Sequence, residues 1–496
     1  MMRRSEQPHV YFAGGTLVLE GVEQDSQPPS PFQWINHKWR CEAVHYRTVE
    51  PWLGLNLVQN RVPGWVNVGL ELKDGRLPHD YQLEAIAAWT NAKRWGSIVL
   101  PTGAGKTFVA LRAIAETQVS TLVVVPTIDL LHQWYARLET AFQTKIGIWY
   151  GLEKDAQPIT VTTYPSAWAN AQTLGNQFKL LIFDEIHHLP APSWHEIALM
   201  CAAPFRLGLT ATYPDAASEG EARVQLLHDY VGPIVYHKRI DELTGQQLAE
   251  YRTERIRIDL TAEEQADYDA AYATYTGYVR ETRLRESHGA GWWNEMTRRS
   301  GYDQGARRAK VAEIKLKEIV HQARGKLDVV NELLREHPTT PMLIFTAHNR
   351  FAYEIARRHL LPAITHQTKA AERKAILDGF RGGIYRAVVT SKVLNEGVDV
   401  PEAKVAVVLG GSATAREYVQ RLGRVLRKQG NAEAVLYEVI ARKTVDEGAA
   451  QRRRSRVKYH VGAAYPRLRL PECLKRRPQH EHQADKTAYR FCGLCN

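Results

Sequence analysis

Apolar and polar positions along the chain fall into distinct regimes. Residues 1 to about 70 alternate short β-like runs with turns: Val10-Tyr11-Phe12, Gly14-Gly15, Thr16-Leu17-Val18-Leu19, a break at Ser26-Gln27-Pro28-Pro29-Ser30-Pro31, then Phe32-Gln33-Trp34 and Trp39-Arg40. This pattern predicts a small β-rich domain over residues 1–72. Its Trp34, Trp39, Trp52 and Trp65 are either core or platforms for bases. At Leu77-Pro78-His79-Asp80-Tyr81-Gln82 the period changes, and Leu83, Ile86, Ala87 and Trp89 follow at helical spacing. Beyond them, short continuous apolar runs recur between helical segments: Ser97-Ile98-Val99-Leu100, Thr121-Leu122-Val123-Val124-Val125, Ile159-Thr160-Val161-Thr162-Thr163 and Leu180-Leu181-Ile182-Phe183. Runs apolar on both faces are strands of a parallel sheet covered by helices, so the fold class is α/β. Met342-Leu343-Ile344-Phe345 and Ala387-Val388-Val389-Thr390 repeat the pattern later. Between them and the first set, about residues 255–325 read as a helical insertion with Tyr268, Tyr272 and Tyr275 at i, i+4, i+7. That spacing fits a core stripe better than a stacking ladder.

With 496 residues, the chain exceeds what one core holds and implies about three units. The 44% hydrophobic and 24% charged fractions are those of a soluble globular protein, no apolar run approaches a membrane span, and Met1-Met2-Arg3-Arg4 leads into polar residues. Five cysteines, few and odd in number, fit a reducing compartment, so the expected location is intracellular, cytoplasmic. Net charge is +11, and residues 442–480 alone carry 12 Lys/Arg against 3 Asp/Glu. Arg452-Arg453-Arg454-Ser455-Arg456 is either a solvated face or a patch that neutralises nucleic-acid phosphates.

The chemistry starts at Pro101-Thr102-Gly103-Ala104-Gly105-Lys106-Thr107, between an apolar strand and the helical Phe108-Val109-Ala110-Leu111. Glycines let backbone amides approach a phosphate, Lys106 reaches the β and γ phosphates, and the Thr107 hydroxyl suits Mg²⁺. Asp184-Glu185-Ile186-His187-His188 ends another strand, and acids at a strand's carboxyl end lie where open α/β sheets place ligands. Asp184 suits Mg²⁺ held through water, and Glu185 is positioned to polarise an attacking water. Gln82 offers donor and acceptor together, which suits an adenine edge. Trp292-Trp293 beside Arg298 and Arg299 is the insertion's candidate for touching nucleic acid. At the tail, Cys473, His480, Cys492 and Cys495 form either a zinc set or an unliganded end.

As an ordered set, Gly103-Ala104-Gly105-Lys106-Thr107, Asp184-Glu185-Ile186-His187, Thr210-Ala211-Thr212 and Gln420-Arg421-Leu422-Gly423-Arg424-Val425-Leu426-Arg427 resembles superfamily 2 helicases of the DExH type. Asp184 to Pro192 leading to Phe205-Arg206-Leu207-Gly208-Leu209-Thr210-Ala211-Thr212 is most similar to the XPB-type DNA repair helicases. The resemblance covers about residues 75–450. It implies two tandem RecA-like domains, 73–240 and 241–450, the second with a thumb-like helical insertion, ahead of a basic tail over 451–496. The N-terminal residues are more faintly similar to that family's damage-recognition domain. It further implies nucleotide contacts at Thr102, Gly397 and Asp399, arginine fingers at Arg424 and Arg427, coupling through His187, Thr210, Thr212 and Gln420, and strand contacts near Pro126 and Thr127. Where the family carries an Arg-Glu-Asp element, this chain has Tyr213-Pro214-Asp215-Ala216-Ala217.

The expected function is an ATP- and Mg²⁺-dependent DNA helicase or translocase, moving 3′ to 5′ in DNA repair on single-stranded or forked DNA. A nuclease or repair protein is an expected partner, a membrane is not, and Zn²⁺ is a possible ligand of the tail. The alternatives are a DNA-dependent ATPase that remodels or clamps without unwinding, and an ATP-switched binding subunit of a repair or defence assembly.

Overall fold

The computed structural model describes residues 7–26, 28–216, 220–243, 251–391, 403–410 and 434–451. Three sheets organise them. The first is a five-stranded sheet of β1 (His9–Ala13), β2 (Thr16–Glu20), β3 (Gln33–Ile35), β4 (Lys38–Glu42) and β5 (Gln59–Arg61), in the order β3-β4-β2-β1-β5, with helix α1 (Tyr46–Leu55) between β4 and β5. Val10, Leu17, Leu19, Tyr46 and Val49 fill its core. Trp39 is buried there, Trp34, Trp52 and Trp65 pack half-buried around it, and the Trp34 and Trp39 rings meet edge to face at 5.3 Å. Ala202 joins the same core, so this domain is seated on the next one.

The second sheet has eight strands: β6 (Trp95–Val99), β7 (Thr121–Val125), β8 (Gly147–Tyr150), β9 (Glu153–Asp155), β10 (Ile159–Thr163), β11 (Leu180–Asp184), β12 (Phe205–Thr210) and β13 (Ile234–His237). Their order is β13-β6-β12-β11-β7-β10-β8-β9, parallel except for β9, which turns back against β8. Every residue of β7, β10 and β11 is buried, as continuous apolar runs require when helices cover both faces. Helices α2 (Asp80–Asn91), α3 (Lys106–Thr117) and α4 (Ile128–Phe142) pack on it, with Trp89 and Trp134 wholly enclosed.

The third sheet is all parallel: β14 (Tyr251–Ile258), β15 (Met342–Phe345), β16 (Ala363–Ile364), β17 (Ala387–Thr390), β18 (Val405–Val408) and β19 (Ala434–Ala441), in the order β14-β19-β18-β15-β17-β16. Because β14 runs to Ile258 as a sheet strand, the helical insertion starts later than the sequence reading placed it. It comprises helices Ala262–Glu281, Leu284–His288, Trp292–Arg299 and Gln304–His321. The tyrosine stripe also divides: Tyr268 is buried, Tyr275 is half-buried, and Tyr272 is 46% exposed. A buried ion pair, Lys326 to Asp446 at 3.2 Å, fastens this lobe, with Lys326 Nζ also donating to the Leu409 carbonyl at 2.5 Å. No helix among the described residues is long and apolar enough to cross a membrane.

Candidate active site

Four adjacent parallel strands, β6, β12, β11 and β7, end at the same edge of the second sheet, since Val99 pairs with Thr210, Leu209 with Asp184 and Phe183 with Val124. The segments that follow each strand therefore meet: the glycine loop after β6, Pro126-Thr127 after β7, Glu185-Ile186-His187 after β11 and Ala211-Thr212 after β12. Parallel topology alone converts four sequence-distant motifs into one site.

Gly103 and Gly105 hold φ of +87° and +76°, values that cost a side-chain-bearing residue strain and that turn the loop into the first turn of α3. The loop is fixed from below by α2. Tyr81 Oη and Gln82 Nε2 both donate to the Ala104 carbonyl, at 2.8 and 3.1 Å, while Gln82 Oε1 accepts the His79 amide at 3.0 Å. Both ends of the Gln82 amide, expected to read adenine, are thus engaged inside the protein. Lys106 Nζ donates to the Leu100 carbonyl at 3.3 Å, and Arg137 of α4 donates to Thr107 Oγ1 at 3.0 Å. Among the described residues the Thr102 hydroxyl is buried without a hydrogen-bond partner, as is that of Thr212 on the neighbouring segment. Such orphaned buried groups fit a site completed by a polar ligand.

Asp184 is buried. Its Oδ2 accepts from Trp134 Nε1 at 2.8 Å and its Oδ1 from the Glu185 amide at 3.1 Å. Burial, then the charge of Glu185, push its carboxyl up to about 6, while the Trp134 bond and Lys106 pull it down. A carboxylate under this strain gains from a nearby cation, so Asp184, Thr107 and Lys106 fit Mg²⁺ and a polyphosphate. Glu185 sits at φ +48°, a left-handed backbone in a non-glycine residue. Its Oε2 accepts from Thr210 Oγ1 at 3.2 Å and lies 3.4 Å from His187 Nδ1, which is itself 2.9 Å from Thr210 Oγ1. The Thr212 amide donates to that same hydroxyl at 3.1 Å. Acid, histidine and threonine segment thus form one buried network.

Elsewhere the expected residues separate. Thr127 Oγ1 caps α4 by accepting the Leu130 amide, and Asp129, in the first turn of α4, ion-pairs with Arg373 of the second lobe. Arg298 and Arg299 both ion-pair with Glu295. Arg285 lies 4.8 Å over Trp292, and Lys310 lies 3.9 Å over Trp293. The i, i+3 and i, i+4 spacing from Glu295 was the available signal for that pairing. Nothing local in the sequence marks Trp134, Tyr81 or Arg137 for these contacts. Gly397, Asp399, Gln420, Arg424, Arg427, Cys473, His480, Cys492 and Cys495 lie outside the described residues. Among the described residues, no group of three or more His, Cys, Asp or Glu side chains could hold a metal by itself.

Two family descriptions match the chain: "Type III restriction enzyme, res subunit" over residues 77–215 and "Helicase conserved C-terminal domain" over residues 325–429. The chain is 40% identical to the DNA 3′-5′ translocase XPB2 of Sulfurisphaera tokodaii over 77% of its own length and 86% of that protein. It is 30% identical to the DNA 3′-5′ helicase XPB of Mycobacterium tuberculosis over 77% of its own length and 64% of that protein. Against the yeast factor IIH helicase/translocase subunit XPB/SSL2 the identity is 23%, over 87% of this chain and about half (49%) of that protein. In fold, the Hef helicase domain of Pyrococcus furiosus matches 75% of the chain with a TM-score of 0.47 and 19% identity. The ordered motifs, the two parallel-sheet lobes and the 40% identity agree, and the chain belongs to the XPB-type branch of the superfamily 2 helicases.

Proposed function

We propose that this chain is an ATP-driven DNA motor of the XPB type that moves 3′ to 5′ and serves DNA repair. The observation that carries the reading is the buried Glu185–Thr210–His187 network. It joins the acid placed to orient water to the strand end that faces the rest of the motor, which is what coupling hydrolysis to movement requires. The S. tokodaii relative named a 3′-5′ translocase gives the direction.

In this reading the loop amides from Thr102 to Gly105 and the Lys106 ammonium hold the phosphates, while Thr107 and Asp184 hold Mg²⁺, which supplies charge neutralisation when bound. Glu185 orients the attacking water and accepts its proton. Gln82 serves the nucleotide by holding the loop. Arg424 and Arg427 would act as fingers on the transferred phosphoryl group, with Gly397, Asp399 and Gln420 completing the second lobe's share. Pro126 and Thr127 lie at the edge where a strand would cross. The expected substrate is single-stranded or forked DNA, the setting intracellular, and the partner a nuclease or repair protein. Cys473, His480, Cys492 and Cys495 stand as a zinc set on spacing alone.

A second reading, a translocase that does not separate strands, is favoured by Tyr213-Pro214-Asp215 at the place of the family's Arg-Glu-Asp element, with Tyr213 buried. Two assays on one preparation distinguish them. ATP-dependent displacement of a third strand from a triplex reports movement, and displacement of a forked strand reports unwinding. Both positive supports the helicase, the first alone supports the translocase, and neither removes the motor reading.

A further inference from the structure

Behind the acid at the end of β11 lies a tyrosine that does not face solvent. Tyr164 starts the helix Tyr164–Ala169, directly after β10, and is wholly buried. Thr163 caps that helix by accepting the Ser166 amide at 3.4 Å, and Pro165 stands in its first turn, where an amide donor is dispensable. The Tyr164 ring stacks on Trp194, with centroids 5.5 Å apart at 16°, and lies 6.2 Å from the Phe183 ring at 21°. A ring so enclosed holds its hydroxyl in one direction. That hydroxyl donates to the Asp184 main-chain carbonyl at 3.0 Å. Burial, and then the charges of Asp184 and Glu185, push the phenol well above its usual value, so it keeps the proton it donates.

The carbonyl belongs to the peptide that joins Asp184 to Glu185. Its other end is held as well, because the Glu185 amide donates to Asp184 Oδ1 at 3.1 Å while Trp134 holds Oδ2 at 2.8 Å. The ladder between β11 and β7 ends at Phe183, so a side chain takes over where strand pairing stops. This peptide plane is thereby fixed immediately before the residue with φ +48° and ψ 55°. A non-glycine residue stays in the left-handed region only where its surroundings over-determine it. The direction of the Glu185 side chain follows from this plane and this φ. It is the direction that brings Oε2 within 3.2 Å of Thr210 Oγ1.

We propose that Tyr164 is a positioning residue for ATP hydrolysis: its hydroxyl holds the Asp184–Glu185 peptide in the orientation that aims the Glu185 carboxylate at the attacking water. The proposal rests on the reading of Glu185 as the acid that orients this water. Trp134 and Tyr164 then divide the work on one residue, the indole steadying the Asp184 carboxylate and the phenol steadying the main chain that leads to Glu185.

The test is a double-mutant cycle on the full chain with saturating ATP, Mg²⁺ and forked DNA. Tyr164→Phe keeps the ring and removes only the hydroxyl. Its kcat falls by about fivefold or more, the scale of one lost buried hydrogen bond, while KM for ATP, fluorescent-nucleotide affinity and the Mg²⁺ midpoint stay within about twofold. Retained nucleotide affinity shows that the lobe is folded in the variant. Glu185→Gln removes the carboxylate, and adding Tyr164→Phe to it costs less than about twofold further, since no base is left to aim. Natural kcat in Tyr164→Phe overturns the proposal, and so does the same loss repeated on the Glu185→Gln background. A raised KM or Mg²⁺ midpoint at natural kcat also overturns it, by tying the hydroxyl to ligand binding, and loss of nucleotide affinity together with turnover does so by making Tyr164 a general support of the lobe. Failure of the underlying reading shows separately, as natural turnover in Glu185→Gln alone.

Discussion

Trp134 Nε1 donates to Asp184 Oδ2 across 2.8 Å, so the helix after β7 holds the acid at the end of β11 in a fixed orientation. The bond opposes burial, which pushes the carboxyl up to about 6, and thereby keeps the ionised form available. Trp134→Phe keeps most of the packing and removes the donor. The Mg²⁺ concentration for half-maximal ATP hydrolysis is expected to rise roughly tenfold, the scale of a charge-assisted hydrogen bond of about 1.5–3 kcal/mol. A magnesium titration of hydrolysis by the two proteins checks it. An unchanged midpoint would show that the indole is only core.

The Thr210 hydroxyl is the hub between Glu185, His187 and the Thr212 amide. Thr210→Val preserves shape and deletes the hub, at about 1–3 kcal/mol for the buried partners left behind. DNA-stimulated hydrolysis should fall by about an order of magnitude while ATP binding is nearly unchanged. Parallel measurements of fluorescent-nucleotide affinity and stimulated turnover decide it, and equal losses in both would refute a coupling role.

Gln82 bonds the Ala104 carbonyl and the His79 amide with opposite ends of one side chain. A loop anchor predicts that Gln82→Ala raises KM for ATP and GTP by similar factors. An adenine reader predicts that ATP alone suffers and the preference between the two collapses. The ratio of the two kcat/KM values separates the roles.

His321 lies in the corner where helix Gln304–His321 meets the second lobe. Burial, and then the neighbouring Lys326, His348 and Lys317, drive its pKa down to about 3, with Asp446 opposing. The folded value lies below the unfolded one near 6.5, so the unfolded chain binds the extra proton. Stability contributed by neutral His321 is therefore complete above pH 6.5 and is lost as pH falls toward 3, at up to about 1.4 kcal/mol per pH unit. His321→Gln should flatten the fall in Tm between pH 6.5 and 5. An identical pH dependence in both proteins would place the acid sensitivity elsewhere.

What could be read from the residues depended on whether the signal was local. The glycine loop and the Asp184 segment announce themselves because loop chemistry and a continuous apolar strand sit side by side, and parallel topology then assembles them without further information. Trp134 was indistinguishable from any core tryptophan, because its role depends on an acid 50 residues away meeting it across two strands. Arg298 and Arg299 looked like free cations, yet Glu295 takes both through ordinary helix spacing. Tyr272 matched a core stripe, but the helix leaves its ring largely exposed. The helical insertion begins later than expected because β14, whose Arg252-Thr253-Glu254-Arg255 run carries no apolar strand signal, pairs at the sheet edge with β19.

The most direct test of the central claim compares ATP hydrolysis and DNA binding in the natural chain and in Lys106→Ala on one forked substrate. The account predicts hydrolysis stimulated strongly by DNA in the first, turnover lost by a factor of about 1,000 or more in the second, and DNA affinity within about threefold in both, since the ammonium contributes several kcal/mol to the transition state and nothing to the strand. Hydrolysis that persists in Lys106→Ala, or DNA binding that disappears together with turnover, would contradict the assignment of this loop as the motor's nucleotide site.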